Sequence, residues 1–393
     1  MDASENRKHK QWIWDILALN LLFRGVFILF VHPAQKADFL WYFNHAKMMA
    51  ENQGYVWGGQ PTAYWPIGWP FFLSLIFRLT GAHILVGMIV NVLLSTVIVW
   101  LVYALARNIF QSEPAALCAA IAYSLLPSQI EWNAVLGSEA LFTALLLFSL
   151  YLYVKSEAQQ SEKQAFGWIL LAGISLGFAA DVRPIPLFFP LFILLYEWLV
   201  WRRRWWTSLR RALALCAAML LAIAPVTIRN GLALHRFVLI STNGGVNLWQ
   251  GTHTNDGYFW SWNPQVNPLV KIADEVLKNK IAKEIALNRI LDDIVLTIGN
   301  GFLKIYHLYK TDVNATWYTL RVIPAFKHWV DPVNHLNTTA YYLLMAFALI
   351  GLIQFIARSN DKARSAWLPL AFILYNTCFF FFFPAWDRFR YPL

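Results

Sequence analysis

Four charged residues that stand at the ends of apolar segments are the strongest chemical signal in the sequence: Asp38, Glu139, Arg183 and Arg229. If seven apolar spans between residues 12 and 228 cross a membrane in alternating directions, all four charges lie on the same side. A carboxylate can take a proton from a hydroxyl group, and a guanidinium can bind phosphate oxygens through its planar fork of donors. Because charges near hydrocarbon are costly unless they are paired or hydrated, this convergence predicts a functional site at one membrane interface.

The composition predicts a membrane protein with several spans. Hydrophobic residues make up 58% of the 393 residues, charged residues only 14%, and the mean hydropathy is +0.46. The net charge of +10 is typical of nucleic-acid binders, but the basic residues cluster in short loops beside apolar segments, where they set the membrane orientation instead. Three cysteines lie inside apolar runs without the spacing of a metal site.

The apolar pattern predicts an all-α polytopic bundle of about nine spans or more. The predicted spans are 12–31, 82–106, 113–127, 138–155, 166–181, 185–201, 210–228, 340–357 and 366–384. Alternation places all the basic loops on one side, which the positive-inside rule makes the cytoplasm. These loops are residues 7–10, Arg107, 155–163, 201–211 and 357–364. The first span carries Arg24, which we expect to pair with a neighbouring helix or to border a cavity rather than to contact substrate.

Two long stretches then face outward, residues 32–81 and 229–339, and they complete a single membrane domain of residues 1–393. In the first, a helix would place Asp38 and Tyr42 on one face, and a proline-rich aromatic segment follows it. The aromatic rings suit an interfacial belt or a platform for a sugar ring or isoprenoid chain. In the second, the pattern predicts a helix capped by Asn267 that runs to Ile294.

Several short motifs follow one another along the chain and together resemble a known superfamily. They are Asp38, Tyr42 and Ala46 in the pattern D-x-x-x-Y-x-x-x-A, then YWPIGWPFFLSL, LGSEALF around Glu139, the pair Arg183 and Pro184, PVTIRN, STNGGVNLWQG, and RFRYP at 388–392. The ordered series resembles the GT-C glycosyltransferases, in the bacterial branch similar to protein O-mannosyltransferases and lipid A aminoarabinose transferase.

This resemblance implies a GT-C-like bundle with helical outer loops that moves a hexose or pentose, with inversion, from a polyprenyl-phosphate carrier. The acceptor would be a lipid, glycan or protein at the outer face of a bacterial inner membrane, with the N-terminus in the cytoplasm. It implies catalytic roles for Asp38 and Glu139. Substrate binding would fall to Tyr42, Arg183, Arg229, Asn247, Lys304, Arg388 and Arg390. No cofactor is certain, and a divalent metal ion between Asp38 and another acid is one option.

Two departures from the family pattern bear on the mechanism. Relatives in the mannosyltransferase branch often place an acid directly after the first aspartate, where this chain has Phe39, so Glu139 is the candidate second carboxylate. Relatives also continue into further membrane segments after RFRYP, whereas this sequence stops at Leu393, which predicts a short or truncated member.

Each candidate residue also has a structural explanation. Asp38 suits a helix cap, Glu139 suits a helix N-terminus, and the arginines suit helix ends from which they reach lipid headgroups, as does Lys304. The rival function is a transporter or flippase of lipid-linked sugars. A transporter would place ionisable groups near the membrane midplane and show repeated halves, and neither feature is visible in the sequence.

Overall fold

The computed structural model describes residues 3–253, 261–358, 364 and 367–392, and helices dominate it. Most of the predicted basic loop 357–364 and residues 254–260 of the second outward stretch lie outside the described residues. The first helices are α1 (Ala3–Phe30), α2 (Ala37–Ala50), α3 (Gly68–Thr80), α4 (Ile84–Phe110), α5 (Glu113–Leu125), α6 (Pro127–Glu131), α7 (Glu139–Glu157) and α8 (Glu162–Val182). They are followed by α9 (Phe189–Leu199), α10 (Trp205–Leu234), α11 (Gly244–Thr252), α12 (Glu275–Asp292), α13 (Ile294–Tyr309), α14 (Asn314–Tyr318), α15 (Val330–Arg358) and α16 (Trp367–Phe380). A hairpin of β1 (Val56–Trp57) and β2 (Gln60–Pro61) lies between α2 and α3.

Long apolar helices make this an integral membrane protein. In the described part of the chain, six are long and apolar enough to cross a bilayer: Gln11–Phe30, Ile84–Phe110, Glu139–Glu157, Glu162–Val182, Trp205–Leu234 and Pro324–Phe355. Shorter apolar helices are Glu113–Leu125, Ile185–Leu199 and Trp367–Phe380. The prediction of an all-α polytopic bundle is confirmed. One boundary was wrong, because the predicted span 340–357 is the end of an apolar helical stretch that begins at Pro324.

Glycines let α8 and α10 approach until their backbones touch. A methyl group added at Gly173 would lie 2.5 Å from the carbonyl oxygen of Leu215, and one at Gly177 would lie 2.5 Å from that of Met219. Glycines four residues apart on one helix face are the small-residue spacing that membrane helices use for close packing, where dispersion contacts rather than the hydrophobic effect hold helices together. This contact fixes the end of α8, from which Arg183 extends.

The outer helix of the second stretch begins later than the sequence predicts. Asn267 caps only a short 3-10 turn, Pro268–Lys271, and α12 starts at Glu275. Its cap is Asp274, whose carboxylate accepts the amide hydrogens of Val276 and Leu277 at 2.9 and 3.0 Å. A carboxylate that satisfies two first-turn amides and also favours the positive end of the helix outcompetes an amide that satisfies one.

The proline-rich aromatic segment of the first stretch forms no long helix, as its prolines predict. The chain from Thr62 to Ile67 forms no helix, and Pro70 lies in the first turn of α3, where a missing amide hydrogen costs nothing. Helix α3 starts directly against the end of α8, because a methyl group at Gly68 would lie 2.6 Å from the carbonyl oxygen of Asp181.

We predict that Gly177→Ala destabilises the protein, because the new methyl group meets the backbone of α10 and must push the two helices apart. Overpacking of this kind typically costs about 1–3 kcal/mol. Gly167→Ala on the same helix is the matched control, since nothing lies within 4 Å of the added methyl group there. Thermal unfolding in detergent should show a lower Tm for Gly177→Ala alone. Equal Tm values for the two variants would contradict the close contact between α8 and α10.

Candidate active site

Two carboxylates and two arginines form a continuous chain of ion pairs. Arg388 donates to both oxygens of Asp38, at 2.5 and 3.2 Å, and its Nε donates to Glu139 Oε1 at 2.5 Å. The same Glu139 oxygen accepts from Arg183 at 2.6 Å, and Arg183 also donates to Ser138 Oγ at 2.9 Å. We call Asp38, Arg388, Glu139 and Arg183 the ion-pair chain.

The members of the ion-pair chain come from four distant parts of the sequence. Asp38 lies in the first turn of α2, and Glu139 is the first residue of α7. Arg183 directly follows α8, and Arg388 lies in a 3-10 turn near the end of the chain. Each charge therefore sits at the end of an element, where the side chain leaves the apolar bundle, and the three sequence-predicted charges Asp38, Glu139 and Arg183 do lie together.

The turn that carries Arg388 is anchored by its neighbour Asp387. The Asp387 carboxylate accepts the backbone amides of Val313 and Asn314 at 2.5 and 2.9 Å, as well as the side-chain amide of Asn314. It thereby caps the short helix α14 and holds the C-terminal turn against the outer stretch. Burial raises the pKa of Asp387 above its ordinary range, an effect that these amide bonds oppose.

Phe39, which replaces the second acid of the family pattern, packs on the bridging arginine. Its ring centroid lies 4.3 Å from the guanidinium carbon of Arg388, and the rings of Trp132 and Tyr318 lie 5.9 Å from the same atom. An aromatic face attracts a guanidinium, so these rings stabilise the cation while they exclude water from it.

Burial differs along the ion-pair chain and leaves Asp38 the most accessible member. Glu139 and Arg388 are 3% and 4% exposed, whereas the side chain of Asp38 is 18% exposed. Burial lowers the pKa of Arg388, but Asp38 and Glu139 raise it well above its ordinary value, so the guanidinium stays charged. The second oxygen of Glu139 is buried without a hydrogen-bond partner. Asp38 is therefore the carboxylate of the ion-pair chain that solvent reaches most easily.

Gly137 makes room for the buried carboxylate of Glu139. A methyl group at this position would collide with Glu139 Oε2 and would lie 3.0 Å from the ring of Phe39. The glycine of the LGSEALF motif is thus required by the close packing of the two acid-bearing segments.

Tyr42 and an aromatic cluster extend the site along α2. Tyr42 is buried one helical turn beyond Asp38, and burial followed by the charge of Asp38 raises its pKa, so it stays a neutral phenol. Its ring lies 5.9 Å from that of Trp65, and Trp41 lies 4.8 Å from Trp65 and 4.9 Å from Trp57. These rings pack into one compact cluster that reaches Tyr42, an arrangement that favours a platform over a belt around the protein.

Arg229 binds the loop that carries this aromatic segment and does not contact the ion-pair chain. Its guanidinium donates to the carbonyl oxygens of Thr62 and Tyr55 at 2.6 and 2.9 Å. Glu275 of α12 holds the same segment from the other side, because it accepts from Thr62 Oγ1 at 2.6 Å and from the amide of Ala63 at 2.7 Å. The expected meeting of Arg229 with the acids is therefore not found: its donors are taken by loop carbonyls, and Arg388 takes its place.

Lys304, Arg390 and Asn247 lie on the outer elements beyond the ion-pair chain. Lys304 is 2% exposed and donates to the carbonyl oxygen of Gly251 at 2.8 Å, and burial lowers its pKa to about 8. Arg390 donates to the carbonyl oxygens of Leu308 and Thr311 at 2.7 and 3.0 Å. Asn247 lies in α11, which packs against α12.

The sequence analysis missed Glu131, which is buried in a pocket of neutral donors. It accepts from Thr319 Oγ1 at 2.8 Å, from Thr316 Oγ1 at 3.3 Å and from the amide nitrogen of Asn337 at 2.6 Å. Burial raises its pKa to about 7, against these hydrogen bonds. Its only sequence signal is an acid directly before Trp132 in a short apolar segment between two spans.

The described residues do not offer the ligand set of a metal site. Within residues 3–253, 261–358, 364 and 367–392, no group of three or more His, Cys, Asp or Glu side chains is placed to hold an ion. Asp38 and Glu139, the expected pair of acids, both bind Arg388.

Comparison with known proteins confirms the expected superfamily resemblance. Residues 65–228, less than half of the chain, match the family model of dolichyl-phosphate-mannose-protein mannosyltransferase. This range contains Glu139, Arg183 and, of the aromatic cluster, Trp65. The comparison with curated protein sequences found no match.

Solved structures of oligosaccharyltransferase from the archaeon Archaeoglobus fulgidus share the fold. The AglB complex with an inhibitory peptide and a dolichol-phosphate has a TM-score of 0.57 and 13% identity, over 98% of this chain and 49% of that one. The complex with Zn and sulfate has a TM-score of 0.53 and 15% identity, over 96% of this chain and 48% of that one. The chain thus spans about half the length of these structures and has the GT-C fold.

We predict that Glu131 makes the stability of the protein depend on pH. The unfolded side chain has a pKa near 4.3, so between about pH 4.5 and pH 7 the folded state binds more protons than the unfolded state. The free energy of unfolding should therefore fall as pH rises through this window, by about 3 kcal/mol for a shift of this size, and then level off.

Glu131→Gln should remove the contribution of Glu131 and so make this slope smaller, whereas Glu284→Gln, at an exposed position on α12, should leave the slope unchanged. Chemical unfolding at a series of pH values from 4.5 to 8 measures the effect. The same slope in wild type and Glu131→Gln would show that Glu131 does not titrate in this window.

Proposed function

We propose that the protein transfers a sugar from a polyprenyl-phosphate carrier to an acceptor hydroxyl at the non-cytoplasmic face of its membrane. The mannosyltransferase family match and the GT-C fold support the class of reaction. The observation that carries the proposal is the ion-pair chain, in which a partly exposed carboxylate is held beside buried arginines at the ends of the helices.

In this proposal Asp38 is the general base. The acceptor oxygen forms a bond to the anomeric carbon while its proton passes to Asp38, and the bond from that carbon to the phosphate oxygen of the carrier breaks. Arg388 orients Asp38 through hydrogen bonds to both of its carboxylate oxygens. Attack from the side opposite the leaving phosphate inverts the sugar, which can be a hexose or a pentose.

The carrier phosphate has a candidate partner in Lys304. Among the described residues this buried ammonium group contacts one carbonyl oxygen and no carboxylate, so an anion would stabilise it. Two other residues of α13, Phe302 and Ile305, line an apolar cavity of about 430 Å³ together with Leu374, Cys378 and Phe381, whereas Lys304 itself does not line it. A cation and an apolar groove on the same helix suit a phosphate with an isoprenoid tail.

The aromatic cluster is the proposed acceptor side of the site. It contacts Tyr42, which lies one turn from Asp38, so a ring that stacks on it would present its hydroxyl groups near the base. Aromatic faces pair with the apolar faces of sugars, and their polar edges remain available for hydrogen bonds. A glycan or glycolipid acceptor fits this surface.

The alternative, a transporter or flippase, agrees less well with the placement of the charges. Arg24, the arginine inside the first span, is fixed by hydrogen bonds to Asn20 Oδ1 at 2.6 Å and to the carbonyl oxygens of Gln129 and Tyr123. The ion-pair chain lies at helix ends rather than at the middle of the spans. The basic loops favour a cytoplasmic N-terminus, as in a bacterial inner membrane, which leaves the ion-pair chain on the outer face.

We predict that Asp38→Asn lowers transfer by about 100- to 10,000-fold, the range expected when a general base is lost. The amide keeps the shape of the side chain but cannot take the proton. Transfer is measured with labelled polyprenyl-phosphate sugars and cell-envelope acceptors, and donor binding should persist. Glu51→Gln, an exposed acid at the end of the same helix, is the control. Near-normal turnover of Asp38→Asn would eliminate Asp38 as the base.

We predict that Lys304→Met raises the KM for the donor by at least about tenfold, because a charge-assisted bond of about 1.5–3 kcal/mol is lost. The Tm should stay constant or rise, because a buried charge is removed. In wild type the donor KM should increase as pH rises through about 8, where the ammonium group loses its proton, and the variant should lack this increase. Lys310→Met, at the end of the same helix, is the control. An unchanged donor KM for Lys304→Met would place the phosphate elsewhere.

A further inference from the structure

Gln35 connects the segments that carry the two acids of the ion-pair chain. Its Oε1 accepts the amide of Leu136 at 2.9 Å, and its Nε2 donates to the carbonyl oxygen of Ala134 at 3.1 Å. Nε2 also donates to Pro33 O within its own loop at 3.2 Å. The side chain is nearly completely buried. One amide group thus pairs with the segment at residues 134–136 as a neighbouring β-strand would.

The positions of these contacts in the sequence matter. Gln35 precedes Asp38 by three residues, and Leu136 precedes Glu139 by three residues. Each acid therefore follows the contact point by the same short length of chain. Because Arg388 bridges the two carboxylates at the other end, the pair of acid-bearing segments is fixed at both ends.

Two other polar side chains, Asn91 and Trp69, also fix the loop before Glu139 but do not connect it to α2. Asn91 of α4 donates to the carbonyl oxygen of Val135 at 2.7 Å, and Trp69 of α3 donates to that of Leu136 at 2.9 Å. These residues anchor the loop to the bundle. Gln35 instead sets its position relative to the segment that leads into Asp38.

We propose that Gln35 is a positioning residue for sugar transfer: it fixes the spacing of Asp38 and Glu139 so that Arg388 spans both and Asp38 faces the acceptor. The inference rests on the proposed function. A guanidinium has fixed geometry, so a sideways shift of either segment by about one hydrogen-bond length breaks one of the two ion pairs. If Asp38 loses its orientation, the chemical step becomes slower. The affinity for the donor should change little, because the proposed phosphate site at Lys304 is separate.

The kinetic test uses Gln35→Met, which keeps the size of the side chain and removes its hydrogen bonds. We expect kcat to fall by at least tenfold and the donor KM to change by less than twofold. Asn91→Leu is the matched control, because it frees a carbonyl group of the same loop without cutting the connection to α2. It should lower the Tm to a similar degree and reduce kcat much less.

A double-mutant cycle with Arg388→Lys tests the shared mechanism. If Gln35 acts through the spacing that Arg388 bridges, Gln35→Met should cause little further loss of kcat in the Arg388→Lys background. Asn91→Leu should cause the same fold-change in both backgrounds. Equal and independent losses for Gln35→Met would overturn the proposal, because they would assign Gln35 a general structural role.

A distance measurement tests the geometry without turnover. Spin labels are attached at Asn44 on α2 and Phe148 on α7, both exposed, after the three cysteines are replaced by serine. Gln35→Met should broaden the distance distribution, and Asn91→Leu should leave it narrow. An unchanged distribution for Gln35→Met would overturn the proposal even if transfer is observed. A broadened distribution in a protein without any transfer activity would refute the proposed function and retain the connection between the segments.

Discussion

The architecture of the site depends on one buried guanidinium that two carboxylates share. Removing Arg388 from water costs several kcal/mol, and this cost is offset only because Asp38 and Glu139 both bond to it. Loss of either acid would leave an uncompensated charge in an apolar environment. The partners come from opposite ends of the chain, so the N-terminal and C-terminal segments must both be in place before the site exists. The ion pairs therefore specify the tertiary arrangement as well as the chemistry.

The surrounding residues keep the ion-pair chain in place through contacts with the backbone of the segments that carry it. Asp387 fixes the turn that carries Arg388, Gly137 opens space for Glu139, and the glycines of α8 hold the helix that precedes Arg183 against α10. Gln35 connects the two acid-bearing segments through a single amide. The hydrogen bonds of Asp387 and Gln35 satisfy backbone groups that would otherwise be buried without partners, which costs about 1–3 kcal/mol each. The hydrogen bonds that satisfy these buried backbone groups therefore also make the site rigid.

Sequence patterns predicted the apolar spans, the helix of Asp38 and Tyr42, and the presence of charges at helix ends, because hydropathy and helical spacing are local properties. The patterns did not predict which groups each arginine would bind. Arg229 and Arg388 look equivalent in sequence, yet the loop from Tyr55 to Ala63 supplies carbonyl oxygens to the first and the acids reach the second. The cap at Asp274 was missed because Asn267 and Asp274 both suit a cap, and only the structure shows that Asp274 accepts two first-turn amides of α12. Glu131 was missed because burial by residues far along the chain gives no local signal.

The distribution of paired charge supports a group-transfer site more than a transport path. Ion pairs hold Arg183 and Arg388 in place, and loop carbonyls hold Arg229, so these cations are preorganised and need not move with a substrate. Lys304 differs because, in the part of the chain that the structure describes, it is buried against one carbonyl oxygen without a negative partner. A phosphate group would complete its coordination without displacing any existing ion pair. In the proposed transfer reaction, the fixed charges around Asp38 would orient the acceptor, and the uncompensated charge of Lys304 would supply binding energy for the carrier phosphate.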